Sequence, residues 1–404
     1  MDLLLRGIGE LATPLGQGAR GGAAQGEILT LRNAYVLVRD GRIAKVGEGT
    51  PPPFSGEVLD CEGRLVTPGL VDPHTHAVFA GKRVQEFLAR AWGERYTGGG
   101  ILTTVSATRS ASEEELVRLA KPRLMAMLAQ GVTTVEIKSG YGLTLQDELK
   151  MLRAIRRLGE ELPLTLVPTF LGAHAFPPEL PREKYIQILV EEMIPKVAAS
   201  GLAKFCDVFC DRGFYTVEEA RRILVAARNF GLGIKIHADE LSQAGGAELA
   251  GELSAVSAEH LLHVSAAGIR ALARAGTVAV LLPGTAFVLD EPYPPARKLI
   301  EAGVPVALGT DFNPGSCPLA SLPFVLSLAV LKLKMSPEEV LTAATLNAAA
   351  ALGLAQELGT LEPGKRADLV VWKAETFAEI PYWMGQNLVW AVLKGGQAVV
   401  APKA

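Results

Sequence analysis

The chain has 404 residues, too many for one small core, so its length calls for one large barrel-type domain or two to three ordinary ones. With 49% hydrophobic and 21% charged residues it has the balance of a soluble globular protein, and a net charge of -3 provides no footprint for nucleic acid, which leaves a small molecule as the expected partner. The opening MDLLLRGIGE has no basic segment leading into a long apolar run, and the most apolar helix-like stretch, LPFVLSLAVLKLK, is short and broken by Lys332 and Lys334, so neither export nor a membrane anchor is expected.

Gly16, Gly18 and Gly21 in GQGARGG fit G-x-G-x-x-G, but no strand leads in and no helix follows within a βαβ unit. A mobile or substrate-adjacent loop is expected there instead of a nucleotide site. Residues 34 to 48, AYVLVRDGRIAKVGE, read as two β segments around Asp40-Gly41, a strong hairpin signal. In LVTPGLVDPHTHAVFAGKR an apolar run gives way to Asp72, Pro73, His74, Thr75 and His76. Side chains of an extended segment alternate, so both imidazoles project to one side. Both imidazoles are thus aimed at one point, although a lone H-x-H is more often one satisfied core histidine beside one exposed one.

From there short β-rich runs alternate with helical stretches, the pattern of consecutive βα units. The strands read GLVDPHTHAVF, TTVEIKSG, LTLVPTFLGAH, AKFCDVFCD, GIKIHADE, AVSAEHL, TVAVLLPG and VPVALGTDF, and eight of them predict a closed (β/α)8 TIM-type barrel. Helices such as LTLQDELKMLRAIRRLGEEL and TVEEARRILVAARNFG carry apolar residues at helical spacing, and Gly131, Gly201, Gly231 and Gly303 follow helical stretches as left-handed caps do. Near the end, the helical SPEEVLTAATLNAAAALGL opens with Ser336 as N-cap, Pro337 in the first turn, and Glu338 and Glu339 near the positive helix end. ADLVVW and NLVWAVLKGGQAVV add a second hairpin at Gly395-Gly396. Neither chain end has enough strands for its own core, so the two are expected to pair into a small composite β-sandwich. The expected units are 1-66 and 356-404 for that sandwich and 67-355 for the barrel. Cys61, Cys206, Cys210 and Cys317 are few and scattered, as free thiols of a cytoplasmic protein are; Cys206 and Cys210 make no C-x-x-C pair and are expected to pack in the core.

The active site of such a barrel lies at the C-terminal ends of its strands. Five of the six histidines fall there: His74 and His76 on the first strand, His174 on the third, His237 on the fifth and His260 on the sixth. Asp239 and Glu240 follow His237, and Asp311 ends the eighth strand. Neutral imidazole and carboxylate suit zinc and ferrous iron, and His74, His76, His237 and Asp311 supply a catalytic set that leaves a position for water. His263, beyond the sixth strand, is expected to be structural.

PGLVDPHTH, HADE, AEH and GTDFNPGS together resemble the amidohydrolase superfamily over nearly the whole chain. HAVFAGKR, RYTGGGI, IKSGYGL, LGAHAFP and FNPGS are similar to those members that hydrolyse 4-imidazolone-5-propanoate to N-formimidoyl-L-glutamate in histidine degradation. The resemblance implies one divalent metal per chain, zinc or iron, and a possible homodimer. It implies that Arg83 pairs with the substrate's propanoate, that Tyr96, Tyr141 and His174 bind substrate, and that Asn313, Gly315 and Ser316 face the imidazolone ring. His260 would polarise the carbonyl, Asp311 would accept a proton from water, and Glu240 would bind substrate and carry a proton to the departing ring nitrogen. No bridging role is implied for Lys138: some amidohydrolases bridge two metals with a carboxylated lysine, but the members resembled do not use this one. A cytosine- or guanine-type aminohydrolase shares the H-x-H, the H-x-x-E, the sixth-strand histidine and the eighth-strand aspartate; Arg83 with Tyr96 separates the two, because a neutral nucleobase needs no counter-charge. A non-catalytic interaction protein on this scaffold would have lost metal ligands, and all four are present.

Overall fold

The computed structural model describes residues 2–94 and 100–401, so Tyr96 lies outside the described residues. Strands β1 (Leu3–Pro14), β2 (Ile28–Arg39), β3 (Arg42–Glu48), β4 (Glu57–Asp60) and β5 (Leu65–Pro68) come first. Eight parallel strands follow, β6 (Leu70–Asp72), β7 (Val132–Lys138), β8 (Thr165–Ala173), β9 (Phe205–Cys210), β10 (Gly233–Ala238), β11 (Ser257–His260), β12 (Val278–Leu281) and β13 (Val306–Leu308). The chain then returns to the first sheet with β14 (Leu369–Trp372), β15 (Val389–Lys394) and β16 (Gln397–Val400).

The two hairpins form where their turn residues allow. Asp40 and Gly41 take φ of 49° and 74°, and Gly395 and Gly396 take 54° and 78°, the paired left-handed conformations that match the twist of a two-residue β-turn. The chain ends join through β14, which runs antiparallel to β5 from Leu369 opposite Pro68 to Trp372 opposite Leu65. The resulting sheet doubles over its own apolar face: Leu5, Ile8, Val36 and Val38 share one core with Leu369, Val371 and Leu393. The Ile43 amide donates to the Lys365 carbonyl at 2.8 Å, tying the first hairpin to the segment that leads into β14.

All eight predicted barrel strands are present, each beside its neighbour in sequence. Helices cover the barrel's outer face, so its strands are buried on both sides and read as apolar runs without alternation. The helix Leu145–Glu161 is capped by Thr144, and Val217–Asn229 by a Thr216–Glu219 capping box. Gly131, Gly201, Gly231 and Gly303 all take positive φ. Two expectations differ. The segment after Ser336 is two helices, Pro337–Ala343 and Leu346–Ala351, because Thr345 leaves helical geometry at φ -128° and ψ -85°. The glycine loop GQGARGG is not substrate-adjacent: Gly21 bridges Pro305, just before β13 enters the barrel, and the Arg20 amide donates to Asn347 Oδ1 at 2.7 Å. It closes the floor of the barrel, and a Cβ on Gly21 would lie 2.2 Å from the Gly303 carbonyl oxygen. No helix among the described residues is long and apolar enough to cross a membrane.

β6 and β13 are the outermost strands of the parallel sheet, and the barrel is closed just beyond their C-terminal ends. Thr75 bridges Phe312, the Asp311 amide donates to the His74 carbonyl at 3.0 Å, and the His76 amide donates to the Phe312 carbonyl at 2.9 Å. Buried Asp72 accepts from the Thr310 amide at 3.1 Å and hydroxyl at 2.6 Å across the same seam. H-x-H and G-T-D thus face each other because they are the stitches of the closure.

Candidate active site and metal centre

Three expected ligands meet at the seam. Asp311 Oδ1 lies 3.2 Å from His74 Nε2 and 3.5 Å from His76 Nε2, while the His237 ring stands 4.6 Å from that of His74, centroid to centroid. All four side chains are buried. His74, His76 and Asp311 form one group spaced to hold a cation, and His74 with His237 and His260 forms another, so His260 stands beside the expected set. The Nε2 atom of His237 has no hydrogen-bond partner among the described residues, an orphaned buried donor or acceptor that a metal ion would satisfy.

Beneath these rings lies a layer that sequence reasoning missed. His237 Nδ1 pairs with Asp207 Oδ2 at 2.9 Å, and His74 Nδ1 with Glu259. Each carboxylate fixes its imidazole so that Nε2 faces the centre. Lys138, fully buried, pairs with Glu136 at 3.0 Å, Asp207 at 2.8 Å and Glu259 at 2.9 Å, and Lys235 pairs with Glu136 and Glu259. Three carboxylates against two ammonium groups leave one negative charge under the imidazoles, which favours a cation above them. Burial opposes charge on Lys138, but its three carboxylates outweigh burial and hold its pKa well above the usual value. A firmly protonated amine is unsuited to carboxylation. Thr285 was also missed; its hydroxyl donates to Asp311 Oδ2 at 2.6 Å.

The strand ends are bent to aim their side chains. His260 and Asp311 take φ of 72° and 54°, as does Asp239 at 52°, a region that non-glycine residues enter at a cost of about 1–3 kcal/mol each. For Asp239 the reward is structural: its carboxylate accepts from the amides of Ala244, Gly245, Gly246 and Ala247 and caps the next helix. His263 likewise serves the turn, its amide donating to the Asp239 carbonyl at 2.9 Å.

One cavity above the ligands is lined by His76, Arg83, Ile101, Tyr141, His174, Phe209, His237, Glu240, His260, Asp311, Asn313 and Ser316. It gathers nearly every site residue expected among those described; Ile101 and Phe209 are additions. His174 Nδ1 lies 3.1 Å from the Gly140 carbonyl, which can only accept, so Nδ1 carries the proton. The Asn313 amide is engaged within its own loop, donating to the Asp311 carbonyl at 2.7 Å and accepting from the amides of Gly315 and Ser316. Gly315 packs against Arg83 instead of lining the cavity. Cys206 and Cys210 are buried in the core.

Burial lowers the pKa values of His76, His174 and His260, the last two to about 3, with neighbouring imidazoles such as His237 adding to the effect. These three rings are neutral. Burial lowers His74 too, but the Glu259 and Asp311 carboxylates together outweigh it and lift His74 to about 9; the same field attracts a metal cation. Asp311 is raised by burial and, more strongly, lowered by His74 and its neighbours, to about 2. Glu240 goes the other way. Burial, then the Asp311 and Asp211 carboxylates, push it well above the usual range, so it is held as an acid beside His260 Nε2 at 3.5 Å.

Residues 65–399 match the amidohydrolase family. The chain is 52% identical over 415 residues to the imidazolonepropionase of Symbiobacterium thermophilum, covering 99% of this chain and 97% of that protein. It is 46% identical to the imidazolonepropionase of Alkaliphilus metalliredigens, with 99% and 98% coverage. Among solved structures it is similar to an adenosine deaminase from Xanthomonas campestris with bound zinc, at TM-score 0.73 and 19% identity over 99% of this chain and 93% of that one. A guanine deaminase from C. acetobutylicum matches at TM-score 0.73 and 16% identity, over 99% and 100% of the two chains.

Proposed function

The chain belongs to the amidohydrolase family and to its imidazolonepropionases, and from that premise we propose that it adds water to 4-imidazolone-5-propanoate, opening the ring to N-formimidoyl-L-glutamate in histidine degradation. The observation that carries the reading is one cavity that holds the convergent imidazoles and Asp311, an acid at Glu240 and a guanidinium at Arg83. It offers the chemistry and a counter-charge for a carboxylate in one space.

His74, His76, His237 and Asp311 would hold one divalent cation, zinc or iron, since imidazole nitrogen and carboxylate oxygen suit both. When bound, the cation supplies Lewis-acid charge and acidifies a water. Asp311 stands where it would accept a proton from the attacking water. His260, a neutral imidazole, donates an N–H to the ring carbonyl oxygen as it gains negative charge. Glu240 delivers its carboxyl proton to the ring nitrogen as the carbon–nitrogen bond breaks. Tyr141, His174, Asn313 and Ser316 frame the ring, Tyr96 joins them in substrate binding, and Arg83, backed by Gly315, holds the propanoate. The residues from 67 to 355 form the catalytic unit. A homodimer is the assembly the family suggests, and the few scattered cysteines suit a cytoplasmic location.

The purified protein is expected to consume imidazolonepropanoate with loss of its ultraviolet absorbance, forming formimidoylglutamate without stoichiometric ammonia. A nucleobase deaminase expels an exocyclic nitrogen as ammonia. Ammonia released in step with cytosine or guanine turnover, with imidazolonepropanoate untouched, would overturn the assignment. The deaminase structures above share the fold, and at 16% and 19% identity that likeness does not reach the substrate.

Arg83→Ala tests the carboxylate anchor. A remote carboxylate is held equally in ground and transition states, so the loss appears in KM and leaves kcat. A charge-assisted hydrogen bond is worth about 1.5–3 kcal/mol, so KM should rise roughly ten- to a hundred-fold in steady-state kinetics. An unchanged KM would point to another anchor.

A further inference from the structure

We propose that Glu86 is a positioning residue that fixes which edge of the Arg83 guanidinium meets the substrate's carboxylate, with Gly100 and Gly315 leaving the space in which that pair sits. The proposal rests on the reading of Arg83 as propanoate anchor.

Arg83 precedes the helix α1 (Val84–Ala91), and Glu86 stands one turn along it. Arg83 Nε donates to Glu86 Oε1 at 2.9 Å and Nη2 donates to Oε2 at 2.6 Å, a side-on fork that sets the plane of the guanidinium. A guanidinium can meet carboxylates at more than one edge, and with Glu86 on the Nε edge a second carboxylate meets the end that carries Nη1. The surroundings narrow that choice. A Cβ on Gly315 would lie 2.0 Å from Nη1, and one on Gly100 would lie 2.1 Å from Nη2 and 2.2 Å from Glu86 Oε2. The guanidinium is thus held between two glycines with no space for either to carry a side chain. Arg90, a further turn along α1, donates to the Gly315 carbonyl at 2.7 Å and ties the helix to the loop that follows Asp311.

Packing does not explain this arrangement. None of the residues of α1 is buried, and Phe87 and Leu88 are exposed, so polar contacts hold the helix that carries the pair. Arg83 has a side chain only 2% exposed and lines the cavity, whereas Glu86 is 37% exposed and does not line it. Glu86 therefore acts on the substrate through Arg83. Its negative charge opposes a second carboxylate, so a glutamate that merely competed for the fork would weaken binding, and one that orients the fork strengthens it. The two roles have opposite signs.

Steady-state kinetics of the metal-loaded enzyme separate them. Glu86→Ala is expected to raise KM for imidazolonepropanoate about two- to ten-fold, the net worth of an ordinary hydrogen bond, with kcat little changed. Glu86→Gln, which keeps an acceptor, should recover part of the loss. Gly315→Ala, which forces the guanidinium aside, should raise KM in the same way. In an Arg83→Ala background Glu86→Ala should add nothing, and it should not alter KM for the propanamide analogue, which lacks the charge; a merely structural role would affect both. If Arg83→Ala raises KM while Glu86→Ala leaves it unchanged or lowers it, the positioning role is overturned and the anchor stands. If Arg83→Ala itself leaves KM unchanged, the anchor and the proposal fall together.

Discussion

Glu240→Gln is expected to keep the metal yet lower kcat by about 10²- to 10⁴-fold, the range for loss of a positioned proton donor. The substitution is nearly isosteric, so the buried site beside His260 stays filled and only the transferable proton is lost. Burial and the nearby carboxylates of Asp311 and Asp211 raise the Glu240 pKa, which keeps it in the acid form that a ring nitrogen needs when it departs. The sign of the pH dependence follows. A carboxyl group that works as an acid is active below its pKa, so kcat should fall as pH rises through that raised value, and the variant should lose this limb of the profile. Rate measurements across pH, with metal analysis on the same preparation, decide the matter. A variant that loses its metal would make Glu240 a ligand, and a near-normal rate would move the proton transfer to Asp311 or His260.

The residues that reach the substrate side of this site were legible because they are confined to strand ends in a repeating βα pattern, where His74, His76, His174, His237 and His260 recur at the same relative place. The layer that holds them was not. Alternation along β11 puts Glu259 and His260 on opposite faces, yet Glu259 reaches His74 while His260 lines the cavity. The left-handed turn at His260 breaks the alternation, and a single histidine in A-E-H does not announce it. Asp207 had a signal: a carboxylate inside the apolar run FCDVFC is costly unless something pairs with it. Its partners Lys138 and His237 come from β7 and β10, and strand order alone does not say which charges will meet. The glycine loop failed for a related reason. Gly21 serves a close backbone approach to Gly303, a long-range contact that leaves a local pattern of small residues and nothing to say which end of the barrel it faces.

That buried layer sets the terms of the second large effect. His237→Ala is expected to fold, to lose the metal and to lose the activity with it. Folding should survive because Asp207, the carboxylate stripped of its imidazole, keeps Lys138 at 2.8 Å and the Val208 amide at 2.7 Å. The backbone amide of residue 237 itself, 3.2 Å from Asp207 Oδ1, also persists in the variant. Asp207 is therefore not left without a partner, the condition that makes breaking an internal ion pair costly. The cation has no such reserve. Its proposed set falls from four ligands to His74, His76 and Asp311, and the pocket left by the ring admits water where a fixed nitrogen stood. Elemental analysis of protein purified without chelator should find close to one metal per wild-type chain and little in the variant, while circular dichroism stays unchanged. Full occupancy in a folded His237→Ala protein would remove His237 from the ligand set and hand its place to His260, the other imidazole grouped with His74.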